Sequence, residues 1–378
     1  MKRVLLWIFL LGVFITCHKV DKATIYPKLD VDLSLMNIPS VFNVFKKIEI
    51  IPLETTESSL IGVLGQVVFY NNHYYVSDRR IDSFLCFDED GKFVRKIGKS
   101  GQGPEEYISA SPSYIINPYN NTFEILSSWG DFYYVYELSG KFVEKVKLPN
   151  SGTIYHNMIL LNDSIRILHS STARNGQDQF YVYSNLSNTI VNSFYQENPN
   201  LFFIANLKFH VYNNNIFFQR PLKSSVLKVD QDGYEVAYVW DFGAMNPENT
   251  RFDKDITHEK MKEMFDDSRI KGVFTSHFQN DIYYYTSFVG INQQDKTRRR
   301  VVNVLYGKQD KKVYVFDTFK ENLHFYPIFW CNEYVLSFTQ PYDANIFLNP
   351  SVLNEENRKK LAAIKEDDNP FLIKYYFK

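Results

Sequence analysis

Several things that many functions require are scarce or missing. Of 378 residues only 3 are cysteine, Cys17, Cys86 and Cys331, and no CxxC or Cys/His cluster at ligand spacing occurs. That excludes a disulfide framework and a zinc finger or ribbon. Neither sign of charge is in excess, with 42 Lys and Arg against 43 Asp and Glu. No basic field is present to neutralise phosphates, so nucleic acid is not an expected partner. Glycine is sparse at 16 residues, and the one segment that imitates a phosphate-binding loop, GKSGQGPEEY (98–107), lacks its first glycine because position 93 is Phe93. A P-loop also opens a helix, whereas this segment runs into Gly103-Pro104 and then SASPSYIINP, which has no helical period. No nucleotide, and no other cofactor, is expected. Sialidase-type SxDxGxxW repeats are absent, as is any complete calcium loop: Asp88-Glu89-Asp90-Gly91 and Asp230-Gln231-Asp232-Gly233 lack the distant Glu of an EF-hand.

No apolar run is long enough to span a bilayer as a helix. The N-terminal one, Val4 to Ile15, follows Lys2 and Arg3 and ends at Thr16-Cys17, the charge and length pattern of a secretory signal. The cysteine closing that run resembles the lipobox of bacterial lipoproteins, although Phe14 and Thr16 depart from its usual small or aliphatic residues. The expected organisation is a signal peptide at 1–16, a lipidated tether at 17–42 with Cys17 as the acylated residue, and a folded unit at 43–378. The expected location is the bacterial cell envelope, on the periplasmic or surface side of the outer membrane, with the lipid as the sole membrane contact. Cys86 and Cys331, both in apolar runs, are read as free packed thiols.

What the chain has in abundance is aromatic residues: 27 Tyr and 32 Phe bring the aromatic share to 17%. Such residues suit a pleated, half-buried surface. From residue 73 a unit of strand, polar loop, alternating strand, tight turn and alternating strand recurs, with turns at Asp90-Gly91, Ser139-Gly140, Asn188, Asp232-Gly233 and Asp310. Asp-Gly between period-two runs predicts a type I′ hairpin turn. Successive turns fall 45–49 residues apart, apart from a last interval of 77 between Gly233 and Asp310. One further apolar run precedes each copy (GVLGQVVFY, PSYIIN, HNMILL, LKFHVYN, FTSHFQ, HFYPIFW), making four strands per unit. This period predicts an all-β, six-bladed propeller with four-stranded blades, rather than paired sandwiches. The last blade is short of one strand, which the early IEIIPLE supplies. Helical insertions are predicted at about 248–270 and 351–367, the second with Asn354 as N-cap and Pro370 as stop.

The unit HYYVSDRRIDSFLCFDEDGKFVRKIGKSGQGPEEY resembles an NHL-type repeat. IPLETTESSLIG (51–62), IGKSGQGPEEY (97–107) and DDNPFLIKYYFK (367–378) resemble the hallmark segments of the 6-bladed β-propeller lipoproteins of Bacteroidetes, although Glu105 replaces a second glycine. The resemblance implies a six-bladed ring tethered at the envelope and transfers no catalytic residues.

Propeller topology puts the loops after each second strand, and those between blades, around one mouth of the ring. These loops hold Ser77, Asp78, Arg79, Arg80, Gln102, Trp129, Asp131, His169, Arg174, Arg220, Lys223, Gln340 and Tyr342. Arg forks grip carboxylates and aromatic faces suit a sugar or peptide. His156 and His324 are expected to start innermost strands, without further ligands to make a metal site. The function these residues point to is non-catalytic binding of an envelope protein, peptide or glycan at the mouth. A metal-dependent, lactonase-like hydrolase and a purely structural subunit of an envelope complex are the alternatives.

Overall fold

Period-two alternation decides the architecture. The structure is a computed structural model and describes residues 26–378 apart from 109, 150–151, 172–175, 197–208, 253–255, 267–269, 271 and 292–298. The chain begins with β1 (Lys28–Asp30), α1 (Val41–Val44) and β2 (Phe45–Pro52). Blade 1 is β3 (Leu64–Tyr70), β4 (His73–Asp78), β5 (Ser83–Asp88) and β6 (Phe93–Lys96). Blade 2 is β7 (Ala110–Asn117), β8 (Thr122–Ser127), β9 (Phe132–Glu137) and β10 (Phe142–Lys147). Blade 3 is β11 (Asn157–Leu160), β12 (Ile165–His169), β13 (Phe180–Ser184) and β14 (Thr189–Phe194). Blade 4 is β15 (Phe209–Tyr212), β16 (Asn215–Gln219), β17 (Ser225–Val229) and β18 (Tyr234–Asp241). After α2 (His258–Asp266), blade 5 is β19 (Gly272–Gln279), β20 (Tyr283–Ile291), β21 (Arg299–Gly307) and β22 (Val313–Phe316). A small ribbon, β23 (Thr318–Phe319) and β24 (Leu323–His324), leads to β25 (Phe329–Trp330) and β26 (Tyr334–Thr339), then α3 (Ala344–Phe347), α4 (Glu355–Ala363) and β27 (Phe371–Phe377). Blade 6 has the order β2-β27-β26-β25, so the early strand closes the ring as its outermost member.

Hydrophobic clusters lie between blades, one at each of the six interfaces. Tyr74, Val76 and Leu85 pack against Tyr334 and Leu372 of blade 6, while Tyr75, Phe84 and Cys86 pack against Tyr114 and Phe123 of blade 2. Alternate side chains of one strand thus serve two different cores. Tyr114 stacks on Phe123 with ring centroids 4.6 Å apart, and its hydroxyl donates to the Tyr75 carbonyl at 2.5 Å. Cys86 is buried and Cys331 half-buried, both free, as expected. One interface also buries charge: Arg166 of β12 grips Glu124 of β8 through Nε (2.9 Å) and Nη2 (2.6 Å), stacks on the Tyr133 ring, and leaves Asn117 Nδ2 to complete Glu124 at 2.9 Å.

Turn chemistry differs from expectation. At Asp90-Gly91 and Ser139-Gly140 only the glycine has positive φ, at 84° and 91°. These are therefore type I turns closed by a left-handed glycine. A Cβ on Gly91 would lie 2.1 Å from the Pro52 carbonyl oxygen, and one on Gly140 2.6 Å from that of Lys96. Each turn presses on the outer strand of the preceding blade, which explains why glycine recurs there. The true type I′ turns are Asn71-Asn72 and Asn213-Asn214, where both residues have positive φ.

The segment read as a polar tether up to residue 42 is structured from β1 onward. β1 pairs in parallel with β18 on the rim of blade 4, and Leu29, Val31, Leu33 and Met36 fill the outer part of the blade 4–5 core. Asn37 then bonds the Val313 carbonyl on the outer strand of blade 5 at 3.2 Å, and the backbone amide of Val41 donates to Glu321 at 2.9 Å before β2 joins blade 6. This strap crosses three blades. Of the predicted helices, α2 packs Met261 and Met264 on Leu222 and Val273. α4 is capped by Asn354 as predicted, but ends at Ala363, well before Pro370, which leads into β27. Its buried Asn357 accepts the Ile50 amide of β2 at 2.7 Å, covering an edge that would otherwise be open. Asn369 joins two hallmark segments: its side chain accepts from Ile61 N (2.8 Å) and donates to the carbonyls of Glu54 (2.9 Å) and Ser59 (2.8 Å).

Arg166→Ala should lower unfolding free energy in urea by about 3–5 kcal/mol, because Glu124 is left buried and unpaired. The Glu124→Leu/Arg166→Met double substitution should recover most of that loss.

Candidate binding face

The mouth is built by loops that satisfy one another. Asp78, the acid of the VxD motif, is buried; its carboxylate accepts the amides of Gly62 (2.7 Å), Val63 (3.0 Å) and Arg80 (2.8 Å). It ties the loop entering blade 1 to the loop after β4. Ser77 is buried too, its hydroxyl oxygen accepting the Gln66 amide at 2.8 Å. Asp131 accepts from the Ser127 hydroxyl at 2.7 Å.

The loop at 97–107 resolves the imitation of a phosphate cradle. Tyr107 is buried, its amide bonds the Lys99 carbonyl (3.0 Å) and its hydroxyl the Asp82 carbonyl (2.7 Å). Glu106 folds back to accept the Gly103 amide at 2.9 Å and the Lys99 ammonium at 2.7 Å, and the Lys99 contact holds its carboxyl below the usual range. The loop binds its own anion. Positive φ occurs only at Gly98 (62°); a Cβ on Gly101 would meet Glu106 Oε2 at 1.8 Å and displace the folded-back carboxylate. The glycines at 101 and 103 therefore answer to space rather than to left-handed backbone. Gln102 is exposed on this loop.

Other predicted mouth residues turn inward. His169 is fully buried among Phe180, Phe209 and Phe218, with ring centroids 5.0–6.1 Å away. Burial, with a smaller push from His156, lowers its pKa to about 3. Arg220 is half-buried, donates to the hydroxyls of Tyr195 and Ser225, and lies over the Tyr195 ring. Lys223 is half-buried in the same loop, and Gln340 half-buried before α3. Arg174 and Cys17 lie outside the described residues. His156 directly precedes β11, as predicted, but His324 sits in the β23–β24 ribbon, stacked on Tyr326, and starts no inner strand.

What remains at the surface forms an arc. Trp129 is 67% exposed and Tyr342 63%. Between them around the ring lie Leu60, Val63, Ile81 and Ile108, all exposed, and Tyr326 and Ile346 are exposed in blade 6 as well. These belong to mouth loops of blades 6, 1 and 2. Arg79 and Arg80 are exposed in their midst, their stems running over Gly65 and Gly62, whose missing Cβ atoms leave the room. Among the described residues neither guanidinium has an ion-pair partner, and the neighbouring Asp78 carboxylate is already occupied by backbone amides. Leu60, Ile81 and Ile108 were missed because a single apolar residue in a loop gives no periodic signal. Among the described residues no group of three or more His, Cys, Asp or Glu is placed to hold a metal ion, and no helix is long and apolar enough to cross a membrane.

A family model described as a domain of unknown function, DUF4934, matches residues 30–376. The chain belongs to the DUF4934 family. The matched span runs from the end of β1 nearly to the end of β27, so the strap belongs to the DUF4934 unit. Among solved structures, a Bacteroides fragilis protein described as exported is similar at 16% identity and a TM-score of 0.73, over 94% of this chain and 100% of its own. A DUF4221 member from Bacteroides vulgatus is similar at 10% identity and a TM-score of 0.52, over 89% of this chain and 97% of its own. Both likenesses concern the fold. No curated protein matches the chain.

Two outcomes test the mouth of this DUF4934 propeller. Gly101→Ala should destabilise the native protein in urea, and distinctly less in a Glu106→Ala background, giving a non-additive cycle. His169 has a folded pKa below its unfolded value near 6.5, so the stability it contributes is complete above pH 6.5 and is lost as pH falls toward 3. Between about pH 7.5 and 5 the wild type should lose about 2 kcal/mol more than His169→Phe.

Proposed function

We propose that this protein is an exported lipoprotein, acylated at Cys17, whose propeller binds an envelope protein, peptide or glycan at its mouth. The observation that carries this reading is the arc itself. Large apolar side chains gathered on one surface and rimmed by polar groups mark interaction sites, and here they surround two unpaired arginines. An interface core of aromatic and aliphatic residues with Arg anchors has the composition of binding hot spots. Carboxylates on the partner would meet Arg79 and Arg80 through forked hydrogen bonds. Export is supported by the signal-like N-terminus and by the exported description of the Bacteroides fragilis structure. Asp78, Asp131, His169 and Arg220, first read as ligand residues, serve here to hold the loops that display the arc.

A photo-crosslinking residue placed at Trp129 or Ile81 of the full-length protein in its native envelope should yield a discrete adduct, whereas one at Tyr119, on a first turn of blade 2 at the opposite face, should not. The adduct should fall at least tenfold in an Arg79→Glu/Arg80→Glu variant of unchanged melting temperature. Equal labelling from both faces, or an adduct indifferent to the arginines, would overturn the reading.

A further inference from the structure

On the face opposite the arc, a lysine lies at the seam of blades 4 and 5. Lys308 opens the β21–β22 turn and is half-buried rather than sealed. Its backbone amide donates to the Ile282 carbonyl of the β19–β20 turn at 2.8 Å, and the Lys311 ammonium donates to its carbonyl at 2.7 Å, which fixes the turn. The side chain enters the seam: Nζ stands 4.1 Å from the centre of the Tyr212 ring of blade 4 and 4.5 Å from that of Tyr284 in blade 5.

An ammonium carries three N–H groups, and one of them here finds an oxygen, Gln279 Oε1 at 3.0 Å. That oxygen belongs to a neutral amide. Gln279 is buried and its Nε2 has no acceptor among the described residues, so one amide presents an acceptor to the amine and a spare donor beside it. Among the described residues no carboxylate pairs with Lys308. Asp281, whose charge it feels, accepts the Tyr212 hydroxyl at 2.7 Å instead. His210, bonded to the Gln279 backbone, is kept neutral by burial, with its pKa lowered to about 4. Ring faces attract an ammonium, but they replace its water poorly. Loss of hydration outweighs the pull of Asp281, and the Lys308 pKa falls from its usual 10.5 to about 8.

We propose that Lys308 is a nucleophilic amine that takes an aldehyde as a covalent imine, a ligand site sharing no residue with the arc. The lone pair of the neutral amine forms the C–N bond at the carbonyl carbon, the carbonyl oxygen leaves as water with the two amine protons, and no oxidant or reductant is consumed. Only the unprotonated amine reacts, and desolvation is what supplies it. At pH 7.5 about a quarter of Lys308 is neutral, against about a thousandth of an ordinary lysine.

The test treats the full-length protein briefly with limiting formaldehyde and cyanoborohydride, which traps each imine as a methylated amine, and quantifies every lysine by peptide mass spectrometry. At pH 7.5 Lys308 should be labelled at least tenfold faster than the exposed Lys92 and Lys320. That ratio should shrink as pH is raised from 7 to 10, where ordinary lysines begin to lose their protons. Gln279→Glu sets a carboxylate against the ammonium and should cut Lys308 labelling at pH 7.5 at least tenfold, with Lys92 unchanged. Labelling of Lys308 no faster than that of Lys92, or a ratio indifferent to pH, overturns the proposal, whether because the amine is protonated or because it is out of reach. So does a Gln279→Glu variant of unchanged melting temperature in which Lys308 is labelled as in the wild type. Should that variant unfold, the wild-type ratio and its pH course decide alone.

Discussion

Tyr74 and Tyr75 are neighbours in the chain and belong to different hydrophobic cores, one shared with blade 6 and the other with blade 2. The rest of the ring depends on that constraint. A strand sheathed on both faces needs apolar residues on both, and a wedge between diverging sheets is best filled by large flat side chains. Tyrosine fits such a wedge because its hydroxyl can reach a carbonyl of the next blade, as Tyr114 does with Tyr75. The aromatic excess is thus the material of six interfaces rather than of one centre. It also explains why the glycines of the outer hairpins answer to a neighbour: Gly91 and Gly140 are set by the outer strand of the blade before.

Much of the fold was legible because alternation and turn residues are local. The five later repeats, the borrowed strand and the Asn354 cap follow from patterns within about thirty residues. What escaped was settled by contacts distant in sequence. The strap carries no strand-length alternation, and β1 exists because Leu29 and Val31 find Trp240 and Phe288. The second helix stops short of Pro370 because Asn369 is needed between the loops at 54 and 61. The tight turns were assigned type I′ from an Asp-Gly pair, although Asn71-Asn72 and Asn213-Asn214 were the better signal.

The mouth shows the same division. Topology assigned Asp78, Arg79 and Arg80 to one loop, but not that the acid would be consumed by three amides while the arginines stayed outside. A charged residue in a loop is ambiguous until its neighbours' unpaired backbone groups are counted. His169 is the extreme case: four residues of context place it at a strand end, and only the packed phenylalanines show it to be core.

The seam in blade 6 joins the first long strand to the last. During synthesis β2 emerges early, while β27, to which it pairs along Phe45–Pro52, is the last strand of the ring to be made. At about 5–20 residues per second the roughly 320 residues between them take about a quarter of a minute to a minute. Through that interval Ile48, Ile50 and Ile51 form an apolar edge with no partner. Blades 1 to 5 are each complete once their own four strands are made, but the ring cannot close until β27 meets β2, and a chain cut within β27 loses that clasp.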